Sequence, residues 1–442
     1  MPPDFRWCHP LAVQLDPLHY ARVPSSLYQV QPATGTTASA HRVEFNAMAR
    51  KRGTVLMAMS GGVDSSVAAA LLQQRGYEVI GVTMQIWQES HPDPRYGGCC
   101  SLGAVEDARR VARHLGIPHY VLNFRRLFAD TVIRDFVQEY RSGRTPNPCV
   151  QCNRFVKFDA LLKKADELGC DYIATGHYAR VRFHPRTGRW NLLRARDKQK
   201  DQSYVLYMLT QEQLRRVLFP LGTISSKEET RRLAAAMGLW TASKPDSQEI
   251  CFVAHAGGYH QFLREVTPEA FQPGEIRDVH GRVLGTHHGI ALYTVGQRRR
   301  LNLFSSVPLY VLRILPEENA IVVGTEEQLY EREMIVEQMT WSSLPTLEKP
   351  LKVMAKIRYN ASPAPAWVYP TDTPDTARVV FDQPVRAITP GQIAVFYRGE
   401  TVVGGGTIRG SRSGAADPNA TEQAVQRALR AVPPLSCEAM VG

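Results

Sequence analysis

A short apolar segment followed by a glycine-rich turn is the feature that most limits how this chain can fold. TVLMAM, at residues 54 to 59, has the length and side chains of a buried strand. The turn comes next, and the run SSVAAALLQQRG (65 to 76) is typical of a helix that ends at Gly76. A strand, a glycine turn and a helix in this order predict the start of a parallel sheet that helices cover on both faces.

The alternation of strand and helix continues to about residue 255. Three more runs predict strands, EVIGVTM (78 to 84), HYVLNF (119 to 124) and DYIATG (171 to 176), and the stretches between them predict helices. Residues 256 to 335 are mixed, with short strands between glycine and proline turns. Residues 350 to 410 hold only strand-like runs separated by Pro, Gly and Asp, which predicts a small barrel or sandwich.

We therefore predict an α/β protein with three folded domains. These are an N-terminal parallel-sheet domain over residues 51 to 255, a small mixed central domain over 256 to 335, and a C-terminal β-barrel-like domain over 336 to 410. Residues 1 to 50 predict a disordered extension, and residues 411 to 442 predict a flexible tail.

Charge and cysteine content narrow the class of protein. The formal charge of +11 favours a polyanionic partner such as nucleic acid, although a basic enzyme without such a partner has the same balance. No apolar run reaches the roughly 18 residues of a membrane span, and the first 50 residues lack the apolar core of a signal peptide. We expect a cytoplasmic protein, with an organellar location still open.

The eight cysteines are too sparse for a disulfide scaffold, and their clustering indicates metal binding or thiol chemistry.

The turn has the sequence SGGVDSS, residues 60 to 66. Its glycines let the backbone approach a phosphate group, and the start of the following helix offers free N–H groups and the positive end of a dipole. Asp64 is suited to hold Mg²⁺ or to orient a leaving pyrophosphate. The lysine of a Walker loop and the spacing of a dinucleotide loop are both missing. SGGVDSS resembles instead the loop of the ATP pyrophosphatases, and a plain glycine turn capped by serine is the alternative.

Two cysteine motifs follow along the chain. In GRTPNPCVQCN (143 to 153), the prolines and asparagines predict a rigid loop before a helix. Cys152 is then expected near the start of that helix, with Arg144 and Arg154 close in sequence, and both effects favour its thiolate form. The second motif, DSQEICF (246 to 252), places Cys251 beside polar groups.

The order and spacing of five motifs resemble those of the bacterial and organellar tRNA-specific 2-thiouridylases. The motifs are SGGVDSS, TPNPCVQCNRFVKF, ATGHYAR, KDQSYVLY and DSQEICF, and the resemblance extends from about residue 53 to 409. It implies an adenine-nucleotide α-hydrolase-like N-terminal domain, of the PP-loop superfamily, that uses ATP and Mg²⁺ to adenylate O2 of the wobble uridine of tRNA. Sulfur then displaces AMP to give 2-thiouridine.

The resemblance also assigns the cysteines and the binding residues. The residue matching Cys251 receives sulfur as a persulfide from a donor protein, and the residue matching Cys152 is the nucleophile that frees it through a disulfide with Cys251. The ATP contacts carried over are Ala58, Met59, Ser60, Gly61, Gly62, Val63, Asp64, Ser65, Met84 and Gly176, with Asp64 also catalytic. The tRNA contacts carried over are Lys200, Asp201, Gln202, Arg358 and Tyr359.

Two further features have a functional and a structural interpretation. His177 follows the fourth predicted strand, where ligands bind in open α/β sheets, so it predicts either a nucleotide contact or a structural histidine. The three arginines at 298 to 300 predict either a clamp on the phosphates of tRNA or an ordinary solvated surface.

Cys149 departs from the family pattern, because many members have Asp at this position. With Cys152 and Cys251 it makes three thiols, which suit an iron–sulfur cluster with one open iron. Structural zinc, with Cys99 or Cys100 as a fourth ligand, is a second alternative, and the metal-free persulfide route is a third.

Two other functions stay open for the whole protein: another ATP pyrophosphatase with a different substrate, and a non-enzymatic, zinc-stabilised RNA-binding protein. The cysteine motifs argue against the first and the ATP loop against the second.

Overall fold

The structure is a computed structural model that describes residues 52 to 87, 102 to 246, 250 to 255 and 258 to 411. The predicted extension over residues 1 to 50, the predicted tail beyond 411, and Cys99 and Cys100 lie outside the described residues. No helix within these ranges is long and apolar enough to cross a lipid bilayer.

The described residues form 17 strands. They are β1 (Thr54–Ala58), β2 (Glu78–Gln85), β3 (His119–Asn123), β4 (Tyr172–Ala174), β5 (Arg180–His184), β6 (Arg189–Leu193), β7 (Val217–Leu218), β8 (Gly274–Arg277), β9 (Val283–His287), β10 (Tyr310–Leu315), β11 (Ala320–Gly324), β12 (Tyr330–Trp341), β13 (Leu351–Lys356), β14 (Ala364–Pro370), β15 (Ala377–Arg386), β16 (Ile393–Arg398) and β17 (Thr401–Ser411).

The described α-helices are α1 (Val63–Gln74), α2 (Leu102–Leu115), α3 (Arg125–Phe128), α4 (Arg134–Arg141), α5 (Pro148–Gln151), α6 (Leu161–Glu167), α7 (Gln211–Arg216), α8 (Lys227–Ala236), α9 (Cys251–His255) and α10 (Tyr259–Val266). Two π-helical segments, Ala129–Ile133 and Cys152–Ala160, join α3 to α4 and α5 to α6.

The N-terminal domain contains a parallel five-stranded sheet in the order β3-β2-β1-β4-β7. Alternate residues of β1 face opposite layers, as the pleat of a strand requires. Val55 and Met57 join the core formed with α1, α2 and α8, whereas Leu56 and Ala58 join the core formed with α6 and the π-helical segment before it. The predicted parallel sheet covered on both faces is therefore confirmed. Strand β7, of two residues, was not predicted from the sequence.

The C-terminal domain is a closed barrel. Strand β12 pairs with both β15 and β17, so the strands in the order β12-β15-β14-β13-β16-β17 form a ring. Its interior is apolar and includes Phe381 and Phe396. The hairpin β5-β6 attaches to this sheet through Leu193 and Thr401, an extension that the sequence did not predict. Between the two domains in sequence, β10-β11-β8-β9 form a separate mixed sheet, so the predicted order of a parallel-sheet, a mixed and a barrel-like domain is confirmed.

Candidate active site

The glycine turn joins β1 to α1 and is shaped by close packing. Gly61 has a φ of +68°, and a Cβ atom there would collide with the carbonyl oxygen of Ala104 in α2. Both conditions exclude residues with side chains. The Ser60 N–H donates to the Ser65 hydroxyl at 3.1 Å, and the Ser66 hydroxyl donates to the Gly62 carbonyl at 2.8 Å. The turn is therefore held without use of the first N–H groups of α1.

The start of α1 has the properties of an anion site. Gly62 is its N-cap residue, so no side chain caps the first turn of this 12-residue helix. The free N–H groups and the helix dipole favour a phosphate group at this position. Gly176, at the end of β4, lies against the same turn, because a Cβ atom there would come within 2.8 Å of the Ser65 nitrogen.

Asp64 lies in the first turn of α1 and is held by two partners from other elements. The Lys227 ammonium, at the start of α8, lies 2.7 and 2.8 Å from its two carboxylate oxygens. The Tyr178 hydroxyl donates to the same carboxylate at 2.7 Å. Burial, followed by the charge of Asp64, raises the pKa of Tyr178, so this tyrosine stays a hydrogen-bond donor.

Asp246 joins three cations beside the turn. Its carboxylate lies 2.8 Å from the Lys227 ammonium, 3.1 Å from that of Lys200 and 3.1 Å from the guanidinium of Arg231. Burial opposes ionisation of this carboxyl, but its bonds to Lys227 and Lys200 outweigh it and lower the pKa below the ordinary value. A fourth cation, Lys244, contacts the turn directly, with its ammonium 3.1 Å from the Gly61 carbonyl and 2.6 Å from Asp107.

These cations lie beside a turn that has no lysine of its own. Sequence reasoning missed Lys227, Lys244, Tyr178 and Asp246 as site residues. Tyr178 and Asp246 lie inside motifs quoted for the resemblance, ATGHYAR and DSQEICF, so a signal for them existed. Lys227 and Lys244 come from segments with no motif, and only the tertiary structure brings them to the turn.

The remaining predicted nucleotide contacts lie around the same end of the sheet. Ala58 and Met59 are buried at the end of β1, Val63 is buried in the first turn of α1, and Met84 is half-buried near the end of β2. His177 follows β4, but its ring is buried between Phe158 and Phe219 and its Nδ1 lies 2.7 Å from the Thr175 hydroxyl.

Burial, together with the nearby charge of Lys157, lowers the pKa of His177 well below its ordinary value. The imidazole is therefore neutral at physiological pH. This environment favours the structural interpretation of His177 over a contact to a phosphate group.

The helix of the first cysteine motif begins earlier than predicted. The Asn147 side chain caps it by accepting from the Val150 N–H at 3.3 Å, and Pro148 occupies its first turn. Both residues favour a helix start. The helix therefore begins at Pro148, so Cys149 lies in its first turn and Cys152 lies one turn further on, where the π-helical segment begins.

The structure places Cys152 and Cys251 in one apolar cluster. Cys152 is 7% exposed, and Cys251 packs against the same cluster from the start of α9. Cys149 is exposed, one helical turn before Cys152. Within the described ranges, no three His, Cys, Asp or Glu side chains are grouped closely enough to bind one metal ion. As placed, the three thiols therefore do not fit an iron–sulfur cluster.

A polar and aromatic surface lies beside Cys149. Tyr359 is 40% exposed, and its ring centre lies 5.8 Å from that of Tyr204. Burial, followed by the charges of Asp201 and Cys149, raises the pKa of Tyr359. The Lys356 ammonium lies 5.4 Å from the centre of the Tyr359 ring and 5.6 Å from that of Tyr204. An exposed aromatic ring beside a cation is suited to stacking on a base.

The other predicted tRNA contacts have intramolecular partners. Asp201 accepts from the Ala195 and Ser203 N–H groups at 3.0 and 3.1 Å, and Gln202 accepts from the Tyr178 N–H at 2.9 Å. Lys200 pairs with Asp246. Through Tyr178 and Asp246, the loop of these three residues therefore contacts the groups that hold Asp64.

Arg358 is half-buried between two domains. Its guanidinium donates to the carbonyl of Val295 in the central domain at 2.9 Å, to the carbonyl of Ala387 in the barrel at 3.2 Å, and to the Thr389 hydroxyl. Burial, followed by the charge of Arg386, lowers its pKa. By contrast, the arginines at 298 to 300 are all exposed.

A parallel sheet with a phosphate-binding turn after its first strand and no Walker lysine defines the class as a PP-loop nucleotide-binding protein. Three family descriptions match the chain in order: "tRNA methyl transferase HUP domain" over residues 53–255, "tRNA methyl transferase PRC-barrel domain" over 260–325 and "Aminomethyltransferase beta-barrel domain" over 331–408.

Curated relatives identify the family within this class. The chain is 54% identical over 356 residues to the tRNA-specific 2-thiouridylase MnmA of Heliobacterium modesticaldum, covering 80% of this chain and 92% of the relative. It is 51% identical over 364 residues to the protein of the same name from Acetivibrio thermocellus, covering 82% and 100%. The chain belongs to the tRNA-specific 2-thiouridylase family.

Proposed function

We propose that this protein is a tRNA uridine 2-sulfurtransferase that adenylates O2 of the wobble uridine with ATP and then replaces that oxygen with sulfur from a cysteine persulfide. The observation that carries the proposal is the phosphate turn with Asp64 and its surrounding cations, in the same domain as an apolar cluster that holds Cys152 and Cys251. The names of the relatives support the substrate. The alternative of a non-enzymatic RNA-binding protein does not explain the phosphate turn.

The nucleotide turn accounts for the first half of the reaction. The start of α1 would bind a phosphate of ATP, and Lys227 and Lys244 would neutralise the pyrophosphate that leaves when uridine O2 attacks the α-phosphorus. One carboxylate beside a phosphate site fits Mg²⁺, which proteins hold by one or two carboxylates together with substrate phosphates. Asp64 would hold this ion, which neutralises phosphate charge when bound.

The two cysteines account for the second half. A persulfide on Cys251 carries the sulfur, and the Cys152 thiolate attacks the Sγ atom of Cys251. A disulfide between the two forms, hydrosulfide leaves, and hydrosulfide attacks C2 of the adenylated uridine so that AMP departs. A thiol reductant must then restore both thiols before the next turnover. Their packing in one apolar cluster supports this route, and no step here uses a metal cluster.

The partners that this reaction requires are tRNA and a protein that donates persulfide sulfur. Tyr359 and Lys356, next to Cys149, would receive the target base by stacking and by charge. The exposed arginines at 298 to 300 would contact tRNA phosphates, and Arg358 would act mainly by joining the central domain to the barrel.

Pyrophosphate exchange into ATP, with and without tRNA, tests the first half-reaction. We expect Asp64→Ala to lower tRNA-dependent exchange by about 100-fold or more, because it removes the carboxylate beside the phosphates. Asp166→Asn is the control, since Asp166 also pairs with a cation, Arg216, but on the surface. Near-normal exchange in Asp64→Ala, or exchange that does not respond to tRNA in the unaltered protein, would overturn the proposal.

A further inference from the structure

The loop over residues 143 to 146, just before the first cysteine motif's helix, contacts all three domains. The Thr145 N–H donates to the carbonyl of Pro390 in the barrel at 2.8 Å. The Thr145 hydroxyl donates to that of Thr294 in the central domain at 3.2 Å. A Cβ atom on Gly143 would lie 2.7 Å from Ile314 of β10, so this end of the loop also packs against the central domain.

Arg144 is the charged centre of these contacts. Its Nε donates to Glu139 of α4 at 2.8 Å, and its Nη2 donates to Glu337 of β12 at 2.9 Å. The side chain of Arg144 is 12% exposed, and those of Glu139 and Glu337 are each 25% exposed. Burial alone would lower the pKa of Arg144, but the two carboxylates outweigh it and raise the pKa. A guanidinium paired with two carboxylates has little charge left to activate Cys152, which was its expected role.

The barrel is locally shaped to make this contact. Strand β12 has an irregularity between Glu337 and Thr340 in its pairing with β17, and Gln338 has a φ of +53° there. Such a bulge redirects neighbouring side chains, often beside functional sites. In the facing barrel loop, a Cβ atom on Gly391 would lie 2.8 Å from the Thr145 nitrogen and 3.0 Å from the Arg144 Cβ. The barrel and the loop therefore touch backbone to backbone.

We propose that Arg144 is a positioning residue that fixes the loop before Cys149 and Cys152 against the barrel through Glu337, so that sulfur transfer, but not adenylation, depends on this contact. The inference rests on the proposed function for its catalytic readout. The described polar partners of Asp64 and Gly61, which are Tyr178, Lys227 and Lys244, all belong to the N-terminal domain, and Glu337 is not among them. Cys152, by contrast, lies at the end of the short helix that directly follows the fixed loop, and small displacements of a reacting group cost rate.

Measuring adenylation and sulfur transfer separately tests whether only sulfur transfer depends on Arg144. We expect Arg144→Gln to reduce formation of 2-thiouridine by about 10- to 100-fold, the cost of a displacement of roughly 1 Å. Pyrophosphate exchange and the KM for tRNA should stay within about twofold of the unaltered protein. Glu337→Gln leaves the bond between Arg144 and Glu139 intact, so it should reduce 2-thiouridine formation by less than Arg144→Gln does. Arg144→Lys keeps the positive charge and should retain more of this activity than Arg144→Gln. Arg378→Gln is the matched control, because it breaks a pair with Glu333 within the barrel alone.

The reactivity of the Cys152 thiol tests the positioning of the loop independently of tRNA thiolation. The rate at which iodoacetamide alkylates Cys152, followed by mass spectrometry, should rise about fivefold or more in Arg144→Gln, because a loosened loop exposes this buried thiol. The rate at Cys170 should not change. An unchanged rate at Cys152, or an equal loss of exchange and thiolation, would overturn the inference. If the unaltered protein lacks tRNA-dependent exchange, the proposed function fails. The alkylation rate then still shows whether Arg144 holds the loop in place.

Discussion

The nucleotide turn (residues 60 to 66) and the cysteine loop, residues 143 to 146 just before the helix that carries Cys149, are assembled in different ways. All described partners of the turn come from the N-terminal domain, chiefly α2, α8 and Lys244. The cysteine loop is held by α4, by the central domain and by two segments of the barrel. The difference implies that a site for adenylation can form within one domain, whereas a site for sulfur transfer needs three domains in place.

The strongest way to break this comparison is to remove the thiols. We expect Cys152→Ser and Cys251→Ser each to abolish 2-thiouridine formation, because a hydroxyl can neither carry a persulfide nor displace one. Both should retain tRNA-dependent pyrophosphate exchange, since the nucleotide turn is untouched. A gel-shift assay for thiolated tRNA, run beside the exchange assay, measures both effects.

Two other cysteines serve as controls for that experiment. Cys170 is buried beside Arg216, and burial, followed by the charge of Asp171, raises its pKa, so Cys170→Ser should keep activity. Cys149→Asp should also keep most activity by the persulfide route, whereas a cluster that needs a third thiolate would be weakened. Full activity in either Cys152→Ser or Cys251→Ser would remove the proposed chemistry.

Lys227 tests the nucleotide turn, and the effect expected from its substitution is smaller than that of removing a thiol. Its side chain is 9% exposed, and its ammonium lies between the carboxylates of Asp64 and Asp246. We expect Lys227→Gln to slow exchange and thiolation together by about 10- to 100-fold, because both halves need the adenylate and a buried cation has been removed.

Lys164→Gln is the matched control, since Lys164 pairs with Glu167 on the surface of α6. Steady-state rates of AMP release and of thiolation, measured on the same samples, give the ratio of the two effects. Loss of thiolation alone in Lys227→Gln would contradict the assignment of this residue to the nucleotide turn.

The smallest predicted effect concerns stability and pH at the cysteine loop. Burial, and then the charge of Glu139, raises the pKa of Asp135 to about 6, against the opposing hydrogen bond from Gln151. In the unfolded chain the pKa of this carboxyl is about 3.9, so the folded protein binds more protons between about pH 4 and 6. Stability from this group therefore falls as the pH rises through that window.

Asp135→Asn removes the ionisation and should stabilise the protein. We expect a gain of about 1 to 3 kcal/mol in the free energy of unfolding at pH 8, shrinking towards zero as the pH approaches about 4. Urea denaturation at pH 5 and pH 8 measures the difference. A gain that is equal at both values would show that the carboxyl does not titrate in this range.

The sequence alone determined the parts of this protein that depend on neighbours along the chain. The buried strand, the glycine turn and the helix of residues 54 to 74 were all predictable, because apolar periodicity and glycine conformations are local properties. The cysteine motifs and the family resemblance were equally visible. The start of the motif's helix was misplaced, although Asn147 and Pro148 carried the signal for it.

Only the tertiary structure decided which side chains meet. Lys227 and Lys244 reach the nucleotide turn from segments more than 150 residues away, and Glu337 reaches Arg144 across 193 positions. The two-residue strand β7 and the attachment of β5-β6 to the barrel were likewise invisible, since such short pairings lack a pattern of their own. Long-range ion pairs and short strand pairings depend on how distant elements pack together. No local signal in the sequence specifies that packing.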